Sequence, residues 1–306
     1  MENSTFAQVG PCANTPLRLG KFSPRGQICG PVLGSCACGS RVDLEAAAAR
    51  IPVPGTSTRV CAVVRTYAGQ AASIGTTLQT MRASARAAGR PLELEVHIVN
   101  TDPRPLPPCF RSRLSFEAKC AADGFAIHER FDDIARASRA WHRRWCPNTT
   151  DFGYIQTDFT LLDLRWRGGC DFIHVTNGDN IYGVDFFRRH LDELIDMHPT
   201  AVVSAADFFC KTASPKLARR TGGLNITIHV KYAIKHVDLA SMVFRTSYLD
   251  VRNATFVVNE IEERGKPLSS LGMFAADGIF AIRVAQDVGE ERAREIHGHG
   301  PLLFHL

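Results

Sequence analysis

The stretch HVTNGDNIYGVDFF, residues 174–187, sets one carboxylate, Asp179, in a glycine turn between two amides, Asn177 and Asn180. Residues 170–176 ahead of it read as a buried strand. Residues 186–197 behind it have helical periodicity and open just after Asp185, a good N-cap type. A lone carboxylate at a strand end can hold a hard divalent cation against phosphates, with neighbouring amides adding oxygens but no charge. The competing role is an Asx turn that caps the next helix. Asp185 is better placed for that job, so Asp179 reads as a metal ligand.

Other polar residues sit where strands should end. Thr66 and Tyr67 close a β-branched run, VCAVVRTY, and are either plain strand residues or ligand contacts. Asp102 follows Asn100 and Thr101 and either opens the turn before Pro103 or meets a ligand. Asp158, in TDFTLLDL, reads either as an acid favourable to a helix N-terminus or as a ligand contact. Asp277 lies behind two alanines on an otherwise apolar helical stretch, where a charge is costly unless paired or facing a cleft. The tail IHGHGPLLFHL offers His297, His299 and His305; imidazole is a common metal ligand, and each also reads as an ordinary surface histidine.

The elements that must position these residues alternate. Strands are expected at residues 60–67, 92–102, 125–131, 170–176, 201–209 and 239–245. Helices are expected at 73–89, around 115–122, at 134–145, 186–197 and 270–286. Alternation of this kind means a mostly parallel central sheet covered by helices on both faces, an α/β fold that binds ligands at the carboxyl ends of its strands. The helix RASRAWHRRW puts Trp141 and Trp145 about one turn apart. Its apolar face is expected to point inward, the alternative being that the indoles stack on a ligand or, peripherally, meet an acidic membrane.

Composition narrows the classes. The 306 residues are 45% apolar and 22% charged, which suits one large α/β domain with an appendage. Residues 1–57 are rich in Gly, Pro and Cys and read as a loosely structured N-terminal appendage, with one short Ala-rich helix at 42–51. The net charge of +5 favours an anionic ligand but is too weak to imply nucleic acid. No signal-peptide pattern or membrane-length apolar run is present, so a soluble cytoplasmic protein is expected, with accidental sequons at Asn3, Asn148, Asn225 and Asn253. The ten cysteines include no C-x-x-C pair. They read as free thiols, with Cys61 and Cys170 as small core residues. Nothing in the sequence fixes the oligomeric state.

Five segments in order resemble the nucleotide-diphospho-sugar glycosyltransferases of the GT-A fold, especially family-2-like members. They are VCAVVRTYAGQAASIGTTLQTMRA, HIVNTD, HVTNGDNIYGVDFF, HVDLASMVFRTSYL and AADGIFAIRV, and the resemblance covers about residues 59–306. It implies a Rossmann-like sheet, a nucleotide-sugar donor, a Mn²⁺ or Mg²⁺ cofactor, and a glycan, lipid or protein acceptor. It makes Asp102 the nucleobase ligand, N-G-D the D-x-D motif with Asn177 in its first position, His305 (then His297) a late metal ligand, and Asp277 the general base of an inverting transfer, and it is the source of the donor-sugar alternative for Asp158. Two departures stand out: Asn177 replaces the usual first Asp, and Ala276-Asp277 replaces a paired acid. They leave open a catalytically inactive sugar-nucleotide-binding or scaffold protein. A nucleotidyltransferase of similar fold would need a more convincing Gly-rich, Arg-bearing loop than RTYAGQAASIG.

Overall fold

A computed structural model describes residues 56–102, 106–119, 125–146, 152–211, 225–233, 236–269, 272–273 and 275–305. The expectations for the N-terminal appendage, including its short helix and its cysteines, fall outside the described residues apart from Thr56 and Ser57.

The first strand, β1 (Thr58–Thr66), shows why the sheet is central. Val60, Ala62 and Val64 enter one hydrophobic cluster while Cys61 and Val63 enter the other, so alternate side chains feed two separate cores. Strands β2 (Leu92–Asn100), β3 (Phe125–Glu129) and β4 (Phe172–Asn177) join β1 in parallel. Beyond β4 lie β9 (Met242–Arg245), which runs antiparallel to both neighbours, then β6 (Val203–Ala206) and β10 (Ala293–Ile296). The seven-stranded order is β10-β6-β9-β4-β1-β2-β3. Helices α1 (Ile74–Arg86), α2 (Pro108–Lys119) and α5 (Phe186–Leu191) cover one face through residues such as Leu78, Phe110 and Phe187. Helices α3 (Phe131–Trp145), α4 (Tyr154–Arg167), α6 (Thr246–Arg252), α7 (Val258–Arg264) and α8 (Ala276–Val288) cover the other through Trp141, Phe159, Tyr248, Ile261 and Phe280. The expected α/β architecture is therefore present. No helix among the described residues is long and apolar enough to cross a membrane.

Four local expectations need correction. Residues 201–209 form two strands, not one: the chain leaves the main sheet at Asp207 and enters a second, four-stranded sheet as β7 (Phe208–Lys211). That small sheet, ordered β5-β11-β7-β8, also contains β5 (Asn180–Tyr182), β8 (Asn225–Ile228) and β11 (Leu303–His305). Helix α2 begins well ahead of residue 115, because Pro108 is tolerated in a first helical turn. Cys61 and Cys170 are not free core thiols; β1 and β4 lie side by side, which brings their Cα atoms to 5.7 Å and joins them in a disulfide. Finally, Asp185 stands at the N-cap of α5, but its side chain makes no cap bond and pairs with Arg188 at 2.8 Å.

Candidate functional site

The turn after β4 is fixed by the strands around it. Asn180 donates from its side-chain amide to Thr176 Oγ1 at 2.9 Å, and His174 and Tyr182 meet at 2.8 Å, so β4 folds tightly back into β5. The Ser73 hydroxyl donates to the Gly178 carbonyl at 2.9 Å, and the Gly178 N–H donates to the Arg65 carbonyl at 2.9 Å. Gly178 is required by space: a Cβ there would lie 2.9 Å from both Thr66 Oγ1 and Gln70 Oε1. With the turn so constrained, Asp179 is presented at the carboxyl edge of the sheet. Its Oδ1 is buried and has no hydrogen-bond partner. An orphaned, desolvated carboxylate oxygen is costly unless a cation meets it, so the residues present fit a divalent ion.

The first D-x-D position carries a different interaction. Asn177 Oδ1 accepts from Arg65 Nε at 3.0 Å and Nη2 at 2.8 Å, in a side-by-side register that pairs Arg65 with Asn177 across β1 and β4. The same guanidinium lies 4.5 Å above the Tyr154 ring and donates to the Phe152 carbonyl. Gly153, between them, has φ of +82° and sits so close to Thr101 that a Cβ would come within 2.3 Å of its methyl. The start of α4 is thereby pressed onto the end of β2.

Asp277 opens α8, and its Oδ1 accepts from the Gly278 N–H at 2.8 Å. Burial and then the Asp238 carboxylate push its pKa up to about 6, while the Gly278 N–H and the Arg65 charge pull it down. Burial is the main cause that raises Tyr154 to about 12 and Tyr182 well above its ordinary value; Asp277 and Asp238 add to the first, and Asp238 and Asp179 to the second. Asp277 thus lies within electrostatic reach of Asp238 and Arg65, and Tyr182 within reach of Asp238 and Asp179; the three acids come from the β4–β5 turn, the segment ahead of β9, and α8. Asp238 was not singled out in the sequence. It caps a single 3₁₀ turn (Leu239–Ser241) by accepting from the Ala240 N–H at 2.8 Å. The available signal was an acid just ahead of an apolar strand, which runs antiparallel to β4 and so begins at this edge of the sheet.

The remaining sequence candidates divide. Thr66 is buried with Oγ1 unpartnered against Gly178, whereas Tyr67 is 46% exposed beside it. Asp102 uses Oδ2 to accept from the Ala68 N–H at 2.7 Å, tying the ends of β1 and β2 together and leaving its other oxygen at the edge. The His305 backbone pairs with Asn180, next to Asp179. His297 lies with Asp207 instead, at 2.8 Å, and His299 is exposed. Asp158 is fully buried and accepts from the N–H groups of Phe256, Val257 and Val258 at 2.7, 2.9 and 3.0 Å. Both its oxygens serve the start of α7, so it is a scaffold acid with nothing left for a sugar. Trp141 faces inward and donates to Glu262 at 2.7 Å, which settles that helix's apolar face as core.

No family model matches the chain, and no curated protein matches it. Among solved structures it is similar to S. aureus TarS at 10% identity, over 81% of this chain and 36% of that one, with a TM-score of 0.46. It is similar to the apo form of mouse xyloside xylosyltransferase 1 at 9% identity, over 82% and 98%, with a TM-score of 0.43. It is also similar to M. tuberculosis glucosyl-3-phosphoglycerate synthase in complex with Mn²⁺, UDP-glucose and phosphoglyceric acid, at 11% identity over 86% and 77%, with a TM-score of 0.41. The chain spans little more than a third of the length of TarS.

Proposed function

We propose that this chain transfers a glycosyl group from a nucleotide-diphospho-sugar to an acceptor hydroxyl, with inversion. The observation that carries the reading is Asp179, held in the β4–β5 turn at the carboxyl edge of the sheet with Oδ1 buried and unpartnered, and it is supported by Asp277, whose carboxyl is raised by burial and by Asp238. In this reading Asp179 and His305 hold a Mn²⁺ or Mg²⁺ ion, which when bound neutralises the diphosphate leaving group. Thr66, Tyr67 and the free oxygen of Asp102 border the nucleoside. Asn177 acts on the donor indirectly, by orienting Arg65 beside the diphosphate. Asp277 takes the proton of the acceptor hydroxyl as it attacks the anomeric carbon. A carboxylate poised at about 6 is mostly ionised at neutral pH yet more basic than an ordinary Asp, which suits a general base.

One observation favours a second reading. The amide at Asn177 is spent on Arg65, so the donor site holds a fixed cation where a second carboxylate would strengthen metal binding. That suits a sugar-nucleotide-binding protein with little turnover. Titrating Asp179→Ala and the unmodified chain with UDP, with and without Mn²⁺, tests the shared donor site. Metal-dependent affinity should vanish in the variant while its melting stays cooperative. Equal affinity in both proteins removes the metal assignment. Release of sugar from a panel of nucleotide sugars, with Mn²⁺ and with chelator, then separates the enzyme from the binder.

A further inference from the structure

A second cluster of ligand-type side chains lies elsewhere on the same edge. β6 and β4 are separated only by β9, and their registers set Asp207 level with Asn177. At the usual strand spacing the two positions are about 10 Å apart. Asp207 follows the last residue of β6 and His297 follows the last residue of β10, and these strands pair in parallel with Ala206 opposite Ile296. The third member, His229, follows β8 of the small sheet.

The Asp207 side chain is 3% exposed and stands where the chain passes from one sheet to the other. Its Oδ2 lies 3.0 Å from His229 Nδ1, and its Oδ1 lies 2.8 Å from His297 Nδ1 and accepts from the Val230 N–H at 2.9 Å. One ligand atom from each of the three residues lies within 4.8 Å of the others. Metal–ligand bonds of about 2.0–2.1 Å place neighbouring ligand atoms roughly 3.0–3.4 Å apart, so small adjustments suffice to admit an ion. The two rings are 6.3 Å apart and inclined at 69°, a mutual tilt that lets each direct a nitrogen at the shared carboxylate. His297 is also backed on its far side: Nε2 lies 3.3 Å from Glu295 Oε2, and Glu295 Oε1 accepts from the Tyr232 N–H at 3.2 Å. A carboxylate behind a ligating imidazole fixes its ring and tautomer, the usual outer support of a histidine metal site.

We infer that Asp207, His229 and His297 form a binding site for a Zn²⁺-class divalent ion, separate from the Asp179 site. Two imidazoles and one carboxylate suit zinc, with water completing the coordination on the open side where His229 is 74% exposed. Such an ion ties together the β6–β7 junction, the loop from His229 toward Asp238, and the connection from β10 toward β11. The cluster of Cys61, Glu95 and His97 offers no equivalent, because Cys61 is held in a disulfide.

The test uses the whole chain, stripped with chelator and titrated with Zn²⁺ by calorimetry, then loaded with Co²⁺ for its visible ligand-field bands. The unmodified protein should take up about one Zn²⁺ in this site and melt at a higher temperature when loaded. His229→Ala, a substitution at an exposed ring, and His297→Gln should each lose the Co²⁺ bands and the Zn²⁺-induced shift in melting. Glu295→Gln should weaken binding by about 10–100-fold. Asp179→Ala should leave the Zn²⁺ uptake and the Co²⁺ spectrum unchanged, which separates this site from the donor site. Absence of Zn²⁺ uptake, unchanged uptake in His229→Ala, or loss of the Co²⁺ bands in Asp179→Ala alone would each overturn the inference.

Discussion

Replacing Asp277 by Asn separates the energetic cost of this carboxylate from its chemical use. Asn keeps the side-chain size and an oxygen for the Gly278 N–H but carries no charge. In the folded chain burial and Asp238 raise the Asp277 pKa from 3.8 to about 6. A carboxyl whose folded pKa exceeds its unfolded value contributes stability that is complete below about pH 4 and is lost as pH rises through about 6. Two units at about 1.4 kcal/mol each bound the loss at ~3 kcal/mol, and solvent at the partly exposed edge trims it toward ~1–2 kcal/mol. Asp277→Asn should therefore match the unmodified protein near pH 4 and exceed it in stability by that amount at pH 7–8. Denaturant unfolding at a series of pH values measures the difference. At the same time, sugar transfer should fall by about 10²–10⁴-fold, with donor affinity unchanged. Parallel stability curves across the whole pH range would show that no buried charge is being ionised at this position. Full transfer activity in the variant would remove Asp277 from catalysis.

The other predictions concern its neighbours. Asp238→Asn removes the like charge that helps raise Asp277, so the acid limb of the transfer rate should move to lower pH; a limb that stays put or moves up contradicts the coupling. Gly178→Ala forces a methyl against Gln70, Thr66 and Ile74 and should cost about 1–3 kcal/mol in urea unfolding, with a further loss of donor affinity. An unchanged midpoint would mean that the turn yields freely. Asp158→Ala strands three backbone N–H groups at the start of α7 and should destabilise by on the order of 3 kcal/mol. A loss under about 1 kcal/mol would mean water reaches those donors.

What could be read from the sequence was local or periodic. The double-sided burial of β1 was legible in VCAVV, and the polar residues of RTY, NTD and NGD were legible as the carboxyl ends of neighbouring strands. Partners far apart in the chain were not legible. Nothing local in residues 59–62 or 169–171 announces that Cys61 bonds Cys170 across 109 residues, or that Asn177 is claimed by Arg65. AVVSAADFF reads as one strand because its hydrophobicity is continuous, yet the backbone changes sheets at its single acid. Asp158 showed the same limit. Its helix was near at hand, but the N–H groups it serves belong to another helix about 100 residues on.

The passage between the two sheets has a mechanical consequence. The chain crosses from the large sheet to the small one after β4 through Gly178 and Asp179, and after β6 through Asp207 alone. Links this short have no slack, so the large sheet fixes the place of the small one, with one acid set at each crossing. The two candidate cation positions thus lie at the two crossings without sharing a single ligand.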